Sequence, residues 1–579
     1  MANRYRVRVR PFRGHQFEVC LTRRVRSAAL VLAACAWVLA ACQQKVAPEP
    51  FDLPDSFVPS DAAPEVAAAD AKVAKWVTDA SPPVPTSIAP PAACTTTWNF
   101  QTPALPEPVG DVGIEPSSPL VATGVDEKVF LYVILPGKST LDTAADGPLA
   151  VTTTQGATVQ AVQFANKGIG SAVLRFAAAG QHTITATYAD GRSGTIAVQA
   201  YATKLPVWQI DMPGATFAAM LADPYHKQYR PCALWVGDQF YPNAEIRLHG
   251  GTSVDLPKRS FRINLKGGAS LPDGRKRLIL RSEYIDKSML RTAIGYEAFR
   301  QATWLPVPKT EFVHVRVGQR MYGVMQLVEH LDGDWLATRG RNGNGTLYEG
   351  DPPHEMSNPG ANLTPLFPAD QYAKIYAKHQ GPKGLADLVS FIEQVLLLPD
   401  DKLGKTLDLY LKVRDWIEYA AMMAVLQNHE HIRKNWYMYR DHDGVDDRFE
   451  MLAWDLDLTF GHLWSLEKDA FDEAIIADAP ADKGRKAVDG VFFNQLYRIL
   501  DRQQWRAIWQ QRVLALADLV LDESFLGPRI DALLCTLGPD VFADPRKRAT
   551  NAEYLQRVEE LRAFAKARRL SLHAQLDGK

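Results

Sequence analysis

The chain has 579 residues, 46% of them hydrophobic and 23% charged, with 38 Gly and 38 Pro. That length and ordinary globular composition imply two or three domains and exclude collagen-like, coiled-coil and wholly disordered classes. Lys and Arg number 65 against 66 Asp and Glu, a net charge of −1, so there is no basic excess to track a phosphate backbone and no nucleic-acid partner is expected.

In chain order, the first feature reads as a targeting signal over residues 1–41. Eight arginines from Arg4 to Arg26 precede an uncharged stretch from Ser27 to Ala41, a run of about 15 apolar residues that suits a signal peptide and is short for a membrane span. It ends Leu39-Ala40-Ala41-Cys42, which resembles a bacterial lipobox. That resemblance implies cleavage before Cys42, a lipid on its sulfur, and a membrane-anchored protein of the cell envelope outside the cytoplasm. Gln43 after the cysteine points to the outer membrane in a host with two membranes. Residues 42–112 are rich in Ala and Pro, with Pro-Pro pairs at 82–83 and 90–91, and read as an extended stalk. Beyond Cys42, Cys94, Cys232 and Cys535 remain; they allow one disulfide and one free thiol, with the pairing open.

Residues 113–202 change character. Lys128–Leu135, Ala172–Phe176, His182–Ala189 and Gly194–Tyr201 are short β-branched or aromatic runs separated by turn signals such as Pro136-Gly137 and Asp190-Gly191. They predict an all-β sandwich, similar to the immunoglobulin-like modules of bacterial surface proteins, with a spacer or carbohydrate-contact role. Residues 203–579 predict an α+β domain. Strand-like pieces at Ala244–Leu248, Ser260–Leu265, Glu311–Val317 and Tyr322–Val328 surround a helix at Ser288–Ala302 and make up an N-terminal lobe of about 205–350. From 369 to 579 the pattern is helical, as at Leu385–Leu398 and Leu409–Leu426, interrupted by two strands, Trp436–Arg440 and Phe449–Trp454. Two lobes with a cleft between them are expected.

The chemistry concentrates around those two strands. Glu430 and Asn435 stand five residues apart between a helix and a strand, and a hairpin then returns the chain to Asp455 and Asp457. Phosphoryl transfer uses a carboxylate to orient a hydroxyl, and an amide with a second carboxylate to hold Mg²⁺; the acid-x4-Asn spacing is that of a protein-kinase catalytic loop. Upstream, Arg247-Leu-His-Gly250-Gly251-Thr-Ser253 sets glycines and hydroxyls after a strand, where backbone N–H groups can approach a phosphate. Lys258 leads into the next strand, and Arg291 and Glu297 lie on the following helix, placed to steady the site.

Bland alternatives stand beside these. The run Asp441–Asp447 lacks EF-hand spacing and reads as a hairpin turn. His429 and His431 flank Glu430 without an HExxH pattern, so zinc is not expected. Asp455-x-Asp457 alone would also suit the metal-binding pair of a glycosyltransferase. Trp416, Ile417, Tyr419, Met422 and Met423 read as core.

Taken together, the segments RLHGGTS with KRSFRINL, DKSMLR, MYGVMQLVEHLD at 321–332, GTLYEGD at 345–351 and AWDLDLTFG at 453–461 resemble the CotH kinase-like family, related to spore-coat protein H. The likeness runs from about Leu205 to Gly461 and more weakly beyond. It implies an atypical protein-kinase fold, ATP with Mg²⁺ or Mn²⁺, and a hydroxyl acceptor on an exported protein or a surface glycan. Lys258 would contact the nucleotide phosphates with Arg247, Gly250, Gly251 and Ser253 near them. Asn435 and Asp455 would bind the metal, supported by Asp457. The family's catalytic-loop Asp corresponds to Glu430, so a surface-binding or adhesion protein without turnover is the competing reading.

Overall fold

The computed structural model describes residues 6–9, 17–20, 85–93, 105–106, 109–351, 360–382, 384–428, 430–431, 433–462, 494–501 and 503–577. It divides into residues 1–71 and residues 72–579. In the first unit β1 (Arg6–Val9) pairs antiparallel with β2 (Phe17–Cys20). The stretch Ser27–Ala41, Cys42 and the stalk up to residue 84 lie outside the described residues.

The second unit begins with two sheets that enclose one apolar core. One sheet is ordered β4 (Val112–Glu115), β6 (Asp126–Val133), β9 (Ile169–Phe176), β8 (Ala157–Asn166). The other is ordered β3 (Val109–Gly110), β11 (Ser193–Tyr201), β10 (Gly180–Tyr188), β7 (Leu149–Thr153), with β5 (Leu120–Ala122) parallel to β11. Alternation explains the arrangement: Val129, Leu131 and Val133 of β6 face Ile184 and Ala186 of β10 in the core, while the residues between them are more exposed. The expected strands are present, each within three residues of its expected bounds, with β3, β4, β5, β7 and β8 added.

A closed seven-stranded barrel follows: β12 (Val207–Asp211), β13 (Arg230–Val236), β14 (Gln239–His249), β15 (Ser260–Leu265), β16 (Arg277–Arg281), β17 (Thr310–Val317) and β18 (Arg320–Glu329). The order around it is β12-β13-β14-β15-β16-β18-β17, closed by a parallel pairing of β17 with β12. Ile246, Leu248, Phe261, Ile263, Leu278 and Leu280 fill its interior. By strict alternation Arg247, Arg262 and Arg281 point outward. Helix α1 (Arg291–Ala302) covers part of that outer face, where Ile279 and Val328 join its Ile294 and Phe299 in a second core.

The rest is helical around a small sheet. The sheet is ordered β20 (Tyr376–Gln380), β19 (Thr346–Gly350), β21 (Trp436–Arg440), β22 (Glu450–Ala453). Against it lies α2 (Val413–Leu426), buried almost all round, including Trp416, Ile417, Tyr419, Met422 and Met423. The helices α3 (Gln503–Val520), α4 (Glu523–Ala543) and α5 (Asn551–Leu576) complete the domain. The helix expected over Leu385–Leu398 is a short α-helical turn, Ala386–Ser390, running into a π-helical turn, Phe391–Val395.

Buried polar contacts tie the sandwich and the barrel to the end of α4. Asp540 accepts from Tyr201 Oη at 3.0 Å and Thr203 Oγ1 at 2.8 Å, and pairs with His314 Nδ1 at 2.7 Å. On the other side of the sandwich Arg316 meets Glu127 at 3.0 Å, both almost wholly buried. Such contacts lock relative orientation, because losing one partner strands a buried charge. These contacts fix the sandwich to the barrel. Cys535 is disulfide-bonded, while Cys232 is free and buried; burial first, then Glu245 and Asp211, push its thiol up to about 12.

Candidate active site

Helix α2 ends at Gln427 in the left-handed region, φ 55°. The Asn428 side-chain oxygen then accepts the N–H groups of Glu430 and His431 at 2.9 and 3.2 Å, an Asx-type turn that sets the direction of Glu430. The Glu430 carboxylate meets Lys434 Nζ at 2.8 Å and accepts from Asn435 Nδ2 at 2.7 Å. Asn435 has φ 62°, a conformation its short polar side chain tolerates, and its N–H donates to the Gly350 carbonyl at 2.7 Å. The hairpin β21–β22, with Trp436 opposite Ala453, then delivers Asp455, again left-handed at φ 57°.

Three ties hold this second segment in place. Asn428 Nδ2 donates to the Asp455 carbonyl at 3.3 Å, and the Asp455 N–H donates to Tyr296 Oη of α1 at 3.2 Å. Arg291, at the start of α1, binds Asp286 and reaches the Thr459 carbonyl at 3.1 Å. The outcome is a cluster in which carboxylate oxygens of Glu430, Asp455 and Asp457 all lie within 4.8 Å of one another. Two non-glycine residues in sparsely populated backbone conformations within one site mark a geometry that the surrounding fold enforces.

Electrostatics make the cluster costly unless something positive balances it. Asp457 is raised well above the usual carboxylate range, by burial first and then by Asp455. Arg281, at the end of β16, supplies part of the balance. Its guanidinium lies 2.5 Å from Asp455 Oδ1, 2.9 Å from Asp457 Oδ2 and 3.0 Å from Glu283 Oε1. Burial alone would lower Arg281, but Asp455, Glu283 and Asp457 outweigh it and raise the group well above its ordinary value. The donor set is all oxygen, the chemistry a hard divalent cation takes, and Asn435, held through its amide nitrogen, keeps an oxygen of the same type beside Glu430. The residues present fit Mg²⁺ or Mn²⁺.

The structure brings Glu430, Asn435, Asp455 and Asp457 together. It does not bring Lys258 to them. Lys258 is fully buried, 2.7 Å from Asp544 at the end of α4, and also donates to the Val324 carbonyl; an ammonium so placed cannot reach a nucleotide, and the expectation of a phosphate contact is corrected to a structural ion pair. Gly250, at φ 109°, follows β14, and a Cβ there would meet Ser253 Oγ at 2.3 Å. Ser253 is thus folded back under the Gly250 backbone in the loop that was expected to approach a phosphate. Arg247 lies on the outer barrel face. Arg291 ties Asp286 to the segment after Asp457 and does not approach Lys258, and Glu297 binds Arg300 and Gln301. His431 is buried between the Asn428 carbonyl and Tyr497 Oη, at 2.6 Å from each, and belongs to the packing; His429 lies outside the described residues. Cys42 does so as well.

Sequence reasoning missed Arg281 and Lys434. Lys434 stands one residue before Asn435 inside the segment already singled out, and Arg281 is the last outward residue of a strand that periodicity alone did not reveal.

Comparison with curated proteins gives no match. Among solved structures, a crystal structure of a glycosyl hydrolase family 2 member from Bacteroides cellulosilyticus is 14% identical, with 16% of this chain and 14% of that chain covered and a TM-score of 0.15, a likeness that carries no argument. The family model described as CotH kinase protein matches residues 246–572, from within β14 into α5, and includes Glu430, Asn435, Asp455 and Asp457. That is more than half of the chain, and the chain belongs to the CotH kinase family.

Proposed function

We propose that this protein is an atypical kinase of the cell envelope that transfers the γ-phosphoryl group of Mg·ATP to a hydroxyl of an exported protein or a surface glycan. The observation that carries the reading is the convergence of Glu430, Asp455 and Asp457 within 4.8 Å, with Asn435 bonded to Glu430. Asp455 and Asp457, with the Asn435 amide oxygen, would hold a divalent cation, which would supply neutralisation of the charge that develops on phosphoryl transfer. Glu430 orients the acceptor hydroxyl and accepts its proton at Oε1 or Oε2; Asn435 and Lys434 fix that carboxylate against rotation. Arg281 holds Asp455 and Asp457 in register and disperses their repulsion. Lipidation at Cys42 would tether the domain to the membrane.

The full mature chain with γ-labelled ATP and Mg²⁺ or Mn²⁺ tests the reading. Label incorporation or nucleotide hydrolysis that Asp455→Ala abolishes supports it. Absence of both, with and without acceptor extracts from the envelope, overturns it.

A second reading has its own support. Arg281 already bridges Asp455 and Asp457, which suits a domain that keeps its fold without turnover and serves in surface binding or adhesion. A thermal shift with Mg·ATP and no transfer would favour that reading.

A further inference from the structure

Arg281 belongs to two sets of carboxylates, one on each side of its guanidinium. Its Nη1 lies 2.5 Å from Asp455 Oδ1 and its Nη2 2.9 Å from Asp457 Oδ2, both on the segment that follows β22. Its Nε donates instead to Glu283 Oε1 at 3.0 Å, two residues along its own chain from β16. The two attachments are separable. Nη1 and Nη2 serve the acidic cluster, while Nε serves the exit of the strand. Lys434, the other cation of the site, pairs with Glu430 and leaves the two aspartates to Arg281.

Glu283 is built to stay where it is. It is buried, with φ 48°, a left-handed conformation that a non-glycine residue keeps only where the surrounding fold enforces it. Its second oxygen accepts from Thr292 Oγ1 of α1 at 2.9 Å. The aspartates face a competition that Glu283 does not. Their carboxylate oxygens and those of Glu430 lie within 4.8 Å of one another, an all-oxygen set that a hard divalent cation takes. A guanidinium spreads one positive charge over three nitrogens, whereas such an ion carries two on one small centre. Both draw on the same aspartates, and an ion among them sets Arg281 against a like charge. Driving a buried arginine from its acids ordinarily strands a charge. Here the pairing of Nε with Glu283 survives, so Arg281 can leave the aspartates and keep a buried counter-charge.

We propose that Arg281 is a displaceable internal counter-cation, which occupies Asp455 and Asp457 in the metal-free protein and must withdraw onto Glu283 before a divalent cation can bind. Until the ion arrives, the same contacts keep the two aspartates in register. Arg281 thereby sets the concentration of Mg²⁺ or Mn²⁺ at which the site fills. The bridge seen between the aspartates is then the resting state of the site, closed below that concentration and open above it. The inference rests on the reading of Asp455, Asp457 and Asn435 as a metal centre; it does not depend on phosphoryl transfer or on any acceptor.

The test is calorimetric titration of Mn²⁺, without nucleotide, into the full mature chain and into its Arg281→Gln, Arg281→Lys and Asp455→Asn variants. Affinity should rise at least tenfold in Arg281→Gln. It should rise by a smaller factor in Arg281→Lys, whose compact ammonium keeps the charge but lacks the fork that bridges two carboxylates. Without metal both Arg281 variants should melt below the wild type, because the aspartates have lost their counter-charge, and saturating Mn²⁺ should raise their melting temperatures more than that of the wild type. Arg281→Lys keeps the test decisive should Arg281→Gln fail to fold. Mn²⁺ affinity equal to the wild type or lower in the Arg281 variants, with binding lost in Asp455→Asn, overturns the inference and leaves the metal centre standing: Arg281 would then be a fixed support. Absence of Mn²⁺ binding in the wild type and in both Arg281 variants overturns the metal centre and the inference together.

Discussion

Lys258 and Asp544 form an ion pair from which solvent is wholly excluded, 2.7 Å apart and 286 residues distant in sequence. The pair joins the entry to β15 to the end of α4, and Asp544 also accepts the Val324 N–H of β18 at 2.9 Å. Removing one partner leaves a buried charge with no compensation, a change that costs about 3–5 kcal/mol. Lys258→Met should therefore lower the stability of the domain by about that amount in chemical denaturation. In whatever fraction remains folded, affinity for a non-hydrolysable ATP analogue should stay within about twofold of the wild type, because the lysine is turned into the ion pair; a loss of affinity with stability intact would restore Lys258 to the site.

The Glu430 carboxylate meets Lys434 and accepts from Asn435. Glu430→Asp withdraws the carboxylate by about 1.5 Å, and displacements of that order at a reacting group cost about a hundredfold in rate. Turnover, where measured by label transfer, should fall about 10- to 100-fold with Mn²⁺ affinity changed less. A rate increase would mean that the longer side chain is itself the defect and that the Asn435 contact is dispensable.

The two histidines on the barrel face set a pH dependence of stability. His249 and His330 are both held well below the usual histidine range, each by burial first and then by neighbouring arginines. A base whose folded-state pKa is depressed leaves the unfolded chain binding more protons, so stability falls as pH drops from about 6.5 toward the depressed value and is unaffected above it. The melting temperature of the wild type should decline between pH 7 and pH 5 more steeply than that of the double variant His249→Gln/His330→Gln. Parallel slopes would show that these rings are solvated and free to charge.

Much of the local structure was legible in the sequence, and the reason is periodicity. The pieces Ser260–Leu265 and Trp436–Arg440 match their strands residue for residue, because alternating or β-branched runs bounded by turns admit little else. Barrel closure was not legible, since it depends on β17 lying parallel to β12, a pairing across about a hundred residues that no local pattern records. The same limit explains the assignment of Lys258. It precedes β15, so strand alternation does not govern it, and its partner Asp544 lies far along the chain. The acidic cluster was legible because its members lie close in sequence around one hairpin, and the hairpin brings them together almost by itself.

Titration of Mn²⁺ into the full mature chain, by calorimetry in the presence of a non-hydrolysable ATP analogue, tests the central claim most directly. Asp455 and Asp457, with Asn435, predict saturable binding in the wild type that falls at least tenfold in Asp455→Asn, with the fold retained. Equal Mn²⁺ affinity in the two proteins would contradict the claim that this carboxylate cluster is the metal centre.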